Sequence, residues 1–223
     1  MVSPVFFTFL CGRGIVAGHQ TWGRLRLKAG NRLLVLVLGL LLFIGLHLLR
    51  ELGWRNALIA RFGQRSYKGL LSVAVLLSIF LLVIGKGNTP FIQVWVPPFN
   101  LRSITHLLMI SSCILVAAGT LPNSYTRELI VHPMLIGVIV WGASHLLSNG
   151  DLASALLFGT LGLWALFKIF SLEFNKGYRS SEENKRKPSL IWDASAIVLG
   201  MIAYILLLVF HGPLFGFALV AFI

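Results

Sequence analysis

HPMLIGVIVWGASHLLSNGD, residues 132–151, sets two histidines, a tryptophan and an Asn-Gly-Asp cluster into an otherwise membrane-grade apolar run. Pro133 suits the first turn of a helix, where its missing N–H costs nothing, and Asn149-Gly150-Asp151 reads as the turn that ends it. The stretch predicts one complete span. His132 and His145 are 13 residues apart, which on a regular helix is roughly 20 Å along the axis and about 140° around it. They cannot share one metal ion, so a partner for either must come from another helix.

The composition agrees with a span. Hydrophobic residues make up 57% of the 223 and charged residues only 12%, far too apolar for an ordinary soluble domain. The fold class expected is all-α, a polytopic transmembrane bundle of about six spans in the lipid bilayer. The net charge of +12 does not indicate nucleic acid, because the basic residues lie in short connectors between apolar runs, where they hold loops beside anionic lipid. Cys11 and Cys113 have no CxxC spacing and suggest neither a disulfide framework nor a zinc site.

Two segments are expected: residues 1–32, a basic N-terminal extension with a short apolar run, and residues 33–223, the transmembrane domain. Leu33 to Leu49 is the first span, apolar or glycine throughout except for His47. Arg50 to Lys68 carries Trp54, Leu58 and Phe62 on one stripe and Arg61, Arg65 and Lys68 on another, the pattern of a helix lying in the headgroup layer. Residues 69–85 form the second span, and residues 86–102, with Pro90, Pro97 and Pro98 around Trp95, a stiff aromatic loop. The third span is 103–121, the opening stretch is the fourth, the fifth starts at Leu152, and the sixth is 191–210, closed by His211-Gly212-Pro213. In the fifth, Ala155, Gly159 and Gly162 are small enough to let a neighbouring backbone close in. Residues 173–187 read as a hydrophilic loop.

The connectors after spans one and five hold five and six Lys/Arg, whereas those after two, three and four hold two, one and none. Odd-numbered connectors are therefore expected in the cytoplasm.

Five of the six histidines, His47, His106, His132, His145 and His211, lie in or at the ends of spans. A lone helix-end histidine is ordinarily bonded to a carbonyl or a headgroup. Five together point to ion, proton or cofactor binding, because ionisable groups inside a bilayer are costly. Glu51, four residues after His47, is expected to accept its second ring proton. Catalytic carboxylates are scarce, Asp151 and Asp193 being the membrane-proximal aspartates, and no GxSxG, HExxH, Walker or GxGxxG pattern is present. A hydrolase or nucleotide-driven machine is not indicated, and any chemistry would come from a bound cofactor.

The pattern H-P-M-x(2)-G-x(3)-W-x(3)-H-L-L-x-N-G-D, followed by Ser154 and the LLFG of Leu156 to Gly159, resembles the central signature of the NnrU family of bacterial inner-membrane proteins. His47 closing the first apolar helix, the FGQRSYKGLLS stretch from Phe62 to Ser72, and His211 with Gly216 resemble it too. Val131 departs from the arginine often seen before His-Pro, and the first 32 residues fall outside the pattern. The resemblance implies a multi-pass inner-membrane protein connected with nitric oxide and nitrite metabolism in denitrification, with nitrogen-oxide reductase components as partners. The plant zeta-carotene isomerase is similar to the family and holds a b-type haem through two histidines. The matching positions here are His47 and His145, so the resemblance implies haem b with its iron held by that pair.

Depth along the spans instead pairs His47 with His132 and His106 with His145, leaving His132 and His106 as substitute ligands. Two other readings stand beside the haem protein: a non-catalytic assembly or regulatory factor for nitrogen-oxide reductases, and an enzyme like the isoprenylcysteine methyltransferases. The second rests on His132-Pro133-Met134 with Gly137, although Val131 and Leu135 replace that motif's arginine and tyrosine. The sequence leaves turnover and oligomeric state open.

Overall fold

A computed structural model describes residues 18–98, 101–174 and 187–215. The chain is helical: α1 (Gly18–Leu48), α2 (Trp54–Phe62), α3 (Gln64–Asn88), α4 (Arg102–Thr120), α5 (Tyr125–Leu129), α6 (Pro133–Ser148), α7 (Leu152–Phe174) and α8 (Leu190–Phe215). Four of these are long and apolar enough to cross a membrane, over Asn31–Leu48, Gln64–Asn88, Leu152–Phe174 and Leu190–Gly212, and α4 and α6 are shorter apolar helices. Six spans are consistent with that pattern. A helix satisfies its backbone groups internally, which is what a segment in hydrocarbon requires. Leu70, Val73, Leu76, Leu77 and Phe80 of α3 turn outward, a continuous apolar face suited to lipid rather than water.

Neighbouring helices pack in the order α3, α1, α7, α6, α4, α8, with α3 also touching α8. The core lies where α1, α3 and α7 meet, built from Leu36, Leu40, Leu82, Ala153, Leu157, Phe158 and Leu161. Glycines let the backbones approach. A Cβ on Gly85 would lie 2.6 Å from the Leu36 backbone, and one on Gly142 would lie 2.8 Å from the Phe158 carbonyl oxygen. On α7 the approach falls on the Phe158 carbonyl and, at 3.6 Å, on the Gly162 Cα, whereas a Cβ built on Gly159 meets nothing within 4 Å.

Several boundaries differ from the sequence expectation. The helix of the first span begins at Gly18, inside the basic segment, because a run of Leu, Arg and Lys propagates a helix as readily as an apolar run does. The expected headgroup helix over 50–68 is divided at Gly63, whose φ of +77° is a conformation only glycine adopts without strain. Arg65 and Lys68 consequently open α3, while α2 has no buried residue. The last helix continues through Gly212 and Pro213 to Phe215. In the connector expected over 173–187, Glu173 belongs to α7 and residues 175–186 lie outside the described residues.

Contacts among the connectors sort them by end. At one end Glu51 meets Lys168, His132 meets Glu173, and the Asp193 carboxylate accepts from the backbone N–H groups of Tyr125 and Thr126. At the other, Lys86 reaches Asp151, and Val94 and Trp95 both donate to the Gly150 carbonyl. This is the partition that the basic residues imply.

Candidate functional site

Between α1 and α6 stands α7, which runs parallel to α1 and antiparallel to α6. Trp164 faces His47, and Lys168, one helical turn later on α7, meets Glu51 in the turn that follows α1. α1 stops at Leu48 while α7 continues to Phe174, so His47 stands against the middle of α7 rather than at its end.

His47 and His145 occupy matching environments. In each, the Nδ1–H donates to the carbonyl four residues earlier, Phe43 at 2.8 Å and Trp141 at 2.9 Å. A carbonyl oxygen can only accept, so the neutral ring is held in the tautomer whose Nε2 carries the lone pair. Each ring is walled by aromatics. Phe43 stacks on His47 at 4.2 Å with Trp164 edge-on at 4.9 Å. Phe158 stacks on His145 at 4.2 Å with Trp141 tilted at 5.1 Å. The F-x(3)-H and W-x(3)-H spacings carry this arrangement in the sequence, since residues four apart share a helix face.

Along α7, Phe158 marks the level of His145, Trp164 that of His47 and Glu173 that of His132. At 1.5 Å per residue, His145 is about 9 Å from the level of His47, and His132 about 13 Å from it. Depth had placed His132 nearer; the early end of α1 reverses that order.

The substitute ligands have side-chain partners of their own. His132 is buried and its Nε2–H donates to Glu173 at 3.1 Å. His106 Nδ1 lies 2.8 Å from the Tyr204 hydroxyl of α8, on the outer side of α4. His145 has the His211 imidazole and the Lys86 ammonium as its electrostatic neighbours.

Glu51 does not meet His47. The helix ends at Leu48, which breaks the four-residue spacing, and the Lys168 ammonium takes Glu51 Oε1 with Ser171 beside it. Burial pushes the Glu51 carboxyl up, but the hydrogen bond and charge of Lys168 outweigh it and hold the group below the ordinary carboxylate range. Asp151 is both a turn residue and an ion-pair member. Its Oδ1 accepts from the Ser154 hydroxyl, and its Oδ2 accepts from the Ser154 N–H and, at 2.8 Å, from Lys86. Burial raises its pKa, and Lys86 with Ser154 brings it down to a net value below the usual range.

Trp164, Lys168 and Lys86 were not singled out in the sequence. Lysines at span ends are ordinary interfacial anchors there, and nothing local ties Lys168 to a glutamate 117 residues away. Among the described residues no three His, Cys, Asp or Glu converge on a metal position, an arrangement that two axial imidazoles do not need. A family model described as NnrU protein matches residues 35–219. No curated protein and no solved structure matches the chain significantly.

Proposed function

The chain belongs to the NnrU family, and from that premise we propose that it is an inner-membrane haem protein of nitric oxide and nitrite metabolism, with His47 and His145 as the haem ligands. One observation carries the reading: both imidazoles present Nε2 while Nδ1–H is tied to a carbonyl. A metal-ligating histidine is oriented in this way, its second nitrogen fixed so that the first points its lone pair at the metal. The donor chemistry of the two rings suits a b-type haem, and one iron between them requires α1 and α6, whose histidine levels differ by about 9 Å, to close together when it binds. Phe43, Trp141, Phe158 and Trp164 supply the apolar aromatic walls that such a group needs.

A haem bound there would supply one-electron chemistry. The chain contributes the rest. The two carbonyls set the tautomers, the stacked rings restrict imidazole rotation, and the apolar surroundings keep water from the ligand nitrogens. Nitrogen-oxide reductase components are the partners that this role implies.

The test is a reduced-minus-oxidised absorbance spectrum of the full chain purified in mild detergent. Bands of a six-coordinate low-spin b-type haem are expected, and a featureless spectrum after expression with ample haem overturns the reading. The non-catalytic assembly factor gains support from His106 and His132, both engaged by side chains of this chain. It expects the featureless spectrum together with retained binding to reductase components.

A further inference from the structure

Two buried polar atoms beside His47 have no hydrogen-bond partner among the described residues: the indole Nε1–H of Trp164 and Oε2 of Glu51. An unpaired buried polar group is expensive, and native structures hold few of them. Here a donor and an acceptor occur in one cluster. Trp164 lies edge-on to His47, and Glu51, three residues past the end of α1, is tied to Lys168 one turn beyond Trp164. We infer that this cluster is a binding site for the hydroxylated aromatic headgroup of a membrane-soluble ligand, the chemical class to which quinols belong.

The chemistry narrows the class. The ligand must accept from Trp164 and donate to Glu51. A carboxylate accepts but repels the Glu51 carboxylate, an ammonium donates but meets the charge of Lys168, and a bare carbonyl leaves Glu51 unmet. A hydroxyl does both, and two hydroxyls on one ring satisfy groups a helical turn apart. The ring is favoured by the walls, since Phe43 and His47 both stand against the Trp164 indole, at 5.3 and 4.9 Å, in the edge-on geometry that aromatic groups prefer. Membrane solubility follows from the surroundings. Leu163, Leu166 and Phe167 flank Trp164 on α7 and are exposed, so the buried cluster lies one side chain in from the lipid-facing surface of the bundle.

The site goes beyond haem ligation, because Trp164 Nε1 and Glu51 Oε2 are not iron ligands. The experiment measures equilibrium binding of 2,3-dimethoxy-5-methyl-6-decyl-1,4-benzoquinol and of its di-O-methyl ether to the full chain in nanodiscs, without oxygen. The quinol is expected to bind saturably and at least about 10-fold more tightly than the ether, the loss expected when hydrogen-bond donors are removed. Trp164→Phe keeps the aromatic packing and should weaken the quinol about 10-fold, and Glu51→Gln should weaken it similarly. Equal affinity for quinol and ether, or no saturable binding, overturns the inference without any variant. Unchanged quinol affinity in both variants also overturns it, once circular dichroism shows wild-type helicity. A sample without haem bands that discriminates quinol from ether leaves this site standing while the haem reading falls.

Discussion

His145 stacks on Phe158, with 4.2 Å between ring centroids and 23° between planes. The contact fixes the imidazole of α6 against the core residue Phe158 and sets its level about 9 Å from that of His47. Among single alanine variants, His47→Ala and His145→Ala should each abolish the low-spin haem spectrum, while His106→Ala and His132→Ala retain it. Loss of haem with His132 but not His145 would reassign the partner of His47.

The Lys86–Asp151 pair is 2.8 Å long, with side chains 17% and 5% exposed. Lys86→Ala leaves the carboxylate buried without its cation and should cost about 3–5 kcal/mol of stability. Asp151→Asn combined with Lys86→Met should cost less than Lys86→Ala alone, because no buried charge remains. Thermal unfolding in detergent, followed by circular dichroism, checks both.

Glu51 and Asp151 are both held below the ordinary carboxylate range. A depressed native pKa means that the unfolded chain takes up protons first as the pH falls, so the stabilisation is present at neutral pH and is lost on acidification. Melting temperature should be flat from pH 7 to about 5 and should fall once the pH drops below about 4. A Glu51→Gln, Asp151→Asn double variant should show a shallower fall, and an identical pH profile in the two proteins would count against both ion pairs.

Ser66 opens α3 at the basic end, whereas Val96 lies in the connector bonded to Gly150. With Cys11 and Cys113 replaced, Ser66→Cys and Val96→Cys should label from opposite sides of the membrane, and only Val96→Cys should react in intact cells. Reaction of Ser66→Cys under those conditions would invert the topology.

The apolar runs marked the spans in the sequence because hydrocarbon admits little else, and Pro133 and Asn149 bounded α6 because proline and turn residues act locally. The level of His47 was not legible. It depends on where α1 stops relative to α7, a relation between segments more than a hundred residues apart. Glu51 was misassigned for a similar reason: the four-residue rule presumes a continuous helix, and the chain leaves it at Leu48. The aromatic walls were half visible, in the four-residue spacings of Phe43 with His47 and Trp141 with His145, while Phe158 and Trp164 are indistinguishable by sequence from lipid-facing aromatics.

The parallel pairing of α1 with α7 sets a timetable for biogenesis. Lys168 follows Glu51 by 117 residues, so at ordinary translation speeds roughly 6–23 s pass between the two. Throughout that interval the first segment sits in the bilayer with its glutamate lacking its counter-ion and its histidine lacking the tryptophan beside it. A ribosome stalled before Lys168 should yield an intermediate far more sensitive to membrane-quality-control proteases than one stalled a turn after it.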